Sequence, residues 1–120
     1  MFKIENKHIY LTKGDKAVID FSIPDYQFKI GDIISMGIYE KRGFTKDALF
    51  LIDVKVDNVT DKVEIIINSD DTKDFLVENK PVDFWYEIQL NHEDTIIGYD
   101  EEDAKIITIF PEGSDRYDRN

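Results

Sequence analysis

The run Val82–Leu90, VDFWYEIQL, sets Val82, Phe84, Tyr86, Ile88 and Leu90 at every second position, with Asp83, Trp85, Glu87 and Gln89 between them. A period of two belongs to a strand with one buried face, because successive side chains point to opposite sides. The same period recurs along the chain. AVIDFSI shares Ala17, Ile19, Phe21 and Ile23 on one face, with Asp20 and Ser22 on the other. IISMGIYE aligns Ile34, Met36 and Ile38, and FLIDVKVD aligns Phe50, Ile52, Val54 and Val56 against Leu51, Asp53, Lys55 and Asp57. KVEIII aligns Val63, Ile65 and Ile67. KIITIF is apolar on both faces, as in a central strand or a covered edge.

Between these runs lie KGD at 13–15, KIGD at 29–32, KRGF at 41–44, VDNVTDK at 56–62 and LNHED at 90–94, which supply turn chemistry. Pro24 and Pro81 stand at strand margins, where a missing N–H is tolerated. No sustained 3.6-residue period intervenes, so an antiparallel all-β sandwich of two sheets is expected. One short helical turn interrupts it. In NSDDTKDFLVENKP, Ser69, Asp70 or Asp71 is expected to cap a turn over Thr72 to Val77, with Phe75 and Leu76 directed at the core. Asp15 and Asp32 are assigned to turns.

A chain of 120 residues is expected to form one domain, residues 1–113, with a polar tail at 114–120. The absence of cysteine removes disulfides, thiol nucleophiles and thiolate metal sites. A net charge of −11 argues against nucleic acid and against an anionic membrane as partners. No apolar run is long enough to span a bilayer. The opening MFKIENKHIYLTKGD lacks the apolar core of a signal peptide, so a soluble protein made in the cytoplasm is expected.

Little in the sequence points to catalysis. GYDEEDAK gathers Asp100, Glu101, Glu102 and Asp103, but the sixth position from Asp100 is Lys105 where a calcium loop needs Gly; a solvated turn is expected. His8 and His92 are far apart, and no serine lies in a nucleophile elbow. No catalytic, metal or cofactor site is therefore assigned. The candidate binding residues are Trp85, with Asp83, Glu87 and Gln89 on the same outward face of the Val82–Leu90 strand. An outward Trp among polar neighbours anchors a protein interface or stacks on a sugar, the latter with Tyr26 or Tyr99; otherwise a loop or the N-terminal segment covers it.

Several segments together resemble a family. NKHIYLTKGDKAVIDFSI resembles the opening strand pair, with its Thr-x-Gly-Asp turn, of small Ig-like modules in tail and baseplate proteins of phages infecting low-GC Gram-positive bacteria, the baseplate upper protein N-terminal domain among them. FKIGDIISMGIYEK resembles that family's second turn and strand. INSDDTKDFLVENKPVDFWYEIQL is similar to its acidic-Asp-Thr turn followed by a Tyr-x-Ile/Leu strand, here Asp71-Thr72 and Tyr86-Glu87-Ile88. TIIGYDEEDAKIITIFPEG resembles its closing hairpin. The likeness runs from Ile9 to Gly113, with ENKPVDF replacing the family's Gly before the aromatic strand. It implies an Ig-like sandwich and a non-enzymatic tail or baseplate component of the virion. Other tail proteins and further copies of the chain would be its partners, and with no further domain after the module, a stand-alone structural unit is expected.

Overall fold

The computed structural model describes residues 1–40, 48–97 and 105–112. Its strands are β1 (Phe2–Glu5), β2 (His8–Thr12), β3 (Ala17–Phe21), β4 (Ile33–Tyr39), β5 (Phe50–Lys55), β6 (Val63–Ile67), β7 (Val82–Leu90), β8 (Asp94–Ile97) and β9 (Ile106–Phe110). A large sheet has the order β1-β2-β9-β7-β4-β5. β8 continues the line of β9 along the same edge of β7: β9 pairs with Val82–Trp85, and β8 with Ile88–Leu90. A second sheet consists, among the described residues, of β3 and β6. The expected all-β sandwich is thus present. The order β9-β7-β4-β5 opposite β3-β6 is that of the G-F-C-C′ strands opposite B and E in an Ig-like domain.

Every strand pair is antiparallel except β2–β9, which is parallel from Ile9↔Ile107 to Thr12↔Phe110. The exception follows from the turn at 12–15, where Asp15 N–H donates to the Thr12 carbonyl at 2.9 Å. Beyond it the chain leaves the large sheet for the small one. β2 therefore has no consecutive partner on that side and lies beside β9. β1 is a strand that the apolar pattern did not reveal, and β8, which overlaps the first strand of the closing hairpin implied by the resemblance, pairs with β7 and not with β9. β1 is a four-residue edge strand joined to β2 through Asn6-Lys7, both at positive φ; β8 follows the Asn91-His92 turn, again both at positive φ. Paired positive φ values are those of two-residue hairpin turns, which match strand twist.

The core lies between the sheets. Ala17, Ile19 and Phe21 of β3 and Val63, Ile65 and Ile67 of β6 face Ile34, Met36 and Ile38 of β4 and Phe84, Tyr86, Ile88 and Leu90 of β7. Ile9 and Leu11 of β2 and Ile107 and Ile109 of β9 complete the layer. Two strands are too narrow to cover the larger sheet, and connecting segments fill the flanks. Phe28, fully buried, packs edge-on to Tyr26 with ring centres 5.5 Å apart, and Phe75 meets Phe84 at 5.0 Å.

Between β6 and β7 the chain crosses from one sheet to the other through one 3₁₀ turn, Ser69–Thr72, shorter and earlier than the expected helical segment. Asn68 occupies the cap position, and the Asp71 carboxylate accepts its N–H at 2.7 Å. The turn stops because Thr72 is pinned: fully buried, its Oγ1 accepts the Gly14 N–H at 2.9 Å. The chain then extends. Phe75 and Val77 point inward, while Leu76, expected in the core, is 80% exposed.

Asp32 ties three segments together. Its Oδ2 accepts the Tyr26 hydroxyl at 2.6 Å and the Lys29 N–H at 2.9 Å, and its Oδ1 accepts Asn91 Nδ2 at 3.1 Å. Gly31, at φ 95°, supplies the left-handed residue that closes this turn. The backbone N–H of Lys29, then the Tyr26 and Asn91 side chains, hold the Asp32 carboxyl below its ordinary range. Among the described residues no helix is long and apolar enough to cross a membrane. The turn at 41–44, the acidic turn at 100–103 and the tail at 114–120 lie outside the described residues.

Two outcomes are expected. Ile65→Ala, in the middle of the small sheet, costs about 3 kcal/mol in urea denaturation, against under about 0.5 kcal/mol for outward Val18→Ala; equal losses would refute this core. Asp32→Asn costs about 2 kcal/mol at neutral pH, from lost hydrogen bonds to a charged group. Because the folded carboxyl is held low, the wild-type contribution is full above the ordinary carboxylate range of about 4 and is lost as pH falls through the depressed value. The difference between the two proteins should therefore shrink on acidification, and a difference constant with pH would contradict the assignment.

Candidate functional site

The small sheet covers one face of the large sheet; the other face is a surface built by the alternate residues of its six-strand path. β7 contributes Asp83, Trp85, Glu87 and Gln89, all directed away from the core, as the alternation implies: Asp83 is exposed and the other three are half-buried. Strand register sets their neighbours. Trp85 lies opposite Ile106 on one side and Tyr39 on the other. Asp83 lies opposite Thr108, and Thr108 opposite Tyr10. Glu87 pairs with Gly37, which pairs in turn with Leu51; Gln89 pairs with Ser35, which pairs with Asp53. The face thus joins Tyr10, Trp85, Tyr39 and Leu51 with four polar residues of β5 and β7.

Its carboxylates are held in place by hydroxyl groups of adjacent strands. Thr108 donates to Asp83 Oδ1 at 2.6 Å, and because its single proton is spent there, its oxygen accepts from His8 Nε2 at 2.7 Å. The His8 ring in turn stacks on Tyr10, centres 4.2 Å apart and planes within 6°. Tyr39 donates to Glu87 Oε1 at 3.0 Å. The Tyr39 ring lies across Gly37, where an added Cβ would stand 2.9 Å from ring and hydroxyl atoms, so the close approach depends on glycine. Burial first, and then the Glu87 charge and hydrogen bond, push the Tyr39 hydroxyl up to about 12, so it stays a donor to Glu87 well into the alkaline range.

Toward the other end of the face, Ser35 donates to Asp53 Oδ1 at 2.6 Å, with His92 Nδ1 at 3.5 Å from the serine and Nε2 at 3.7 Å from Asp53. These are the residue types of a hydrolytic triad in a different order. The serine is buried and its proton goes to the carboxylate, whereas an activated serine gives its proton to the imidazole.

The candidate residues named from sequence therefore share one surface, and the structure adds Tyr10, Tyr39, His8, Thr108 and Leu51 to it. Tyr26 is instead engaged with Asp32, and Tyr99 lies outside the described residues. The HIYLT alternation already turns Tyr10 away from Ile9 and Leu11; the meeting of Tyr39 with Trp85 is set by strand register.

Comparison with protein-family models gives no match. No curated protein and no solved structure matches the chain either.

Thr108→Val keeps the shape of this buried residue and removes both of its bonds. A loss of about 1–2 kcal/mol is expected in chemical denaturation, against under about 0.5 kcal/mol for exposed Thr95→Val. Equal effects would show that the His8–Thr108–Asp83 chain contributes nothing.

Proposed function

We propose that the protein is a non-enzymatic structural component of a phage or prophage tail or baseplate, acting through protein–protein contacts. The observation that carries the contact reading is the outer face of the large sheet. A central Trp, two Tyr and a Leu lie among oriented carboxylates on a surface that the protein's own core leaves open, and aromatic side chains of this kind serve as interface anchors. The phage assignment is supported by the order of segments from Ile9 to Gly113 described above. In this reading the protein assembles in the bacterial cytoplasm into a virion, beside other tail proteins and further copies of itself. Among the described residues β1 and β5 end the large sheet without a further strand beside them, which suits strand-to-strand contact.

A second reading, a carbohydrate-binding module for host-surface recognition, is favoured by one observation: Tyr10, Trp85 and Tyr39 share a single face, as a stacking platform requires.

Mass spectrometry of particles purified after prophage induction in the source bacterium tests the proposal. The protein is expected at several copies per tail. Trp85→Ala should fold normally and be incorporated about tenfold less, equivalent to ~1.4 kcal/mol. Absence of the wild-type chain from intact particles, or unchanged incorporation of the variant, would overturn it.

A further inference from the structure

We propose, resting on the contact reading above, that the outer face of the large sheet receives an arginine-bearing segment of a partner protein, and neither a second copy of the same face nor a neutral glycan. Three observations point to a cation. Asp83 and Glu87 flank Trp85 on β7, and each has one carboxylate oxygen fixed by a hydroxyl of the neighbouring strand. Among the described residues neither carboxylate has a lysine or arginine within ion-pair distance, and the second oxygen of each takes no hydrogen bond. Among the described residues, therefore, the face presents negative charge that is oriented and that no lysine or arginine compensates.

Next, the spacing of acid and aromatic suits a guanidinium. A planar cation can lie on the Trp85 ring while its N–H groups reach a carboxylate in the plane, the combination that separates arginine from lysine. The face also holds one such arrangement of its own at its edge. Lys3 Nζ sits 5.0 Å above the centre of the Tyr10 ring and 2.9 Å from Glu5. That pair shows that an aromatic with a neighbouring carboxylate holds a cation on this surface.

Charge, finally, selects against self-pairing. Among the described residues Glu5, Asp83, Glu87 and Asp53 line the face against Lys3 and Lys55, on a chain of net charge −11, so two copies brought face to face repel. Copies of this chain would meet through the edges of β1 or β5, leaving the face to a basic partner.

The test uses the full chain, ¹⁵N-labelled, titrated with three capped tripeptides, Gly-Arg-Gly, Gly-Lys-Gly and Gly-citrulline-Gly, and with chito-oligosaccharide. The arginine peptide should shift amides of residues 83–87, 39 and 10, at least about fivefold more tightly than the citrulline peptide and more tightly than the lysine peptide, with the advantage declining in high salt. Asp83→Asn combined with Glu87→Gln, which keeps the hydroxyl acceptors, should remove the preference while the protein still gives the wild-type pattern of amide shifts away from the face and a cooperative thermal transition. Shifts spread equally over Asp20 and Glu64 on the small sheet would overturn the proposal. So would equal binding of arginine and citrulline peptides, or saturation of the face by the oligosaccharide alone. The result is independent of whether the protein is found in particles, so this inference and the tail assignment can fail separately.

Discussion

A sheet six strands wide that, among the described residues, is covered by two strands is the constraint from which the rest of this structure follows. β3 and β6 put six apolar side chains onto one face of the large sheet, and among the described residues no second layer covers the other. The covered face must be closed at its flanks by connecting segments, which explains the buried Phe28, Val56, Phe75 and Val77 outside regular strands. It also explains the Asp32 turn, which fastens the β3–β4 connection to the turn between β7 and β8. Burial supplies the stability; hydrogen bonds to a single carboxylate supply the register of the loops.

The open face is organised differently. Its polar groups are bonded to one another across strands, Thr108 to Asp83, Tyr39 to Glu87, Ser35 to Asp53, so that each carboxylate is held in one orientation before any partner arrives. Preorganisation of this kind lowers the entropy lost on binding. Gly37 has a part in it, since it lets the Tyr39 ring lie close over β4, on the strand position opposite Trp85. β4 is accordingly buried along its centre on both sides, by the core beneath and by outer-face side chains above.

Much of this was legible in the sequence where one face of a strand is buried and the other is not. The bounds of β7 and the outward direction of Trp85, Asp83, Glu87 and Gln89 follow from alternation alone, and β9, apolar on both sides, is indeed central. What stayed hidden depends on contacts distant in sequence. The parallel β2–β9 pair, the hydroxyl partners of Asp83 and Glu87, and the meeting of Trp85 with Tyr39 are all set by register between strands, which local pattern does not encode. The core position expected for Leu76 failed for a similar reason: Thr72 is held by Gly14, so the acidic turn ends there instead of continuing as a helix. β1 and β8 are short, and a bulge between Thr95 and Ile97 interrupts the pairing of β8 with β7, so neither leaves a clean period.

The central claim is that the outer face of the large sheet is the working surface. Hydroxyl-radical footprinting read by mass spectrometry, comparing the isolated protein with the protein in its native assembly from source cells, tests it directly. Trp85, Tyr39, Tyr10 and Leu51 should be oxidised in the isolated protein and several-fold protected in the assembly, with Val18, on the outside of the small sheet, labelled alike in both. Protection centred on Val18 and its neighbours, with Trp85 and Leu51 oxidised equally in the two states, would contradict the account.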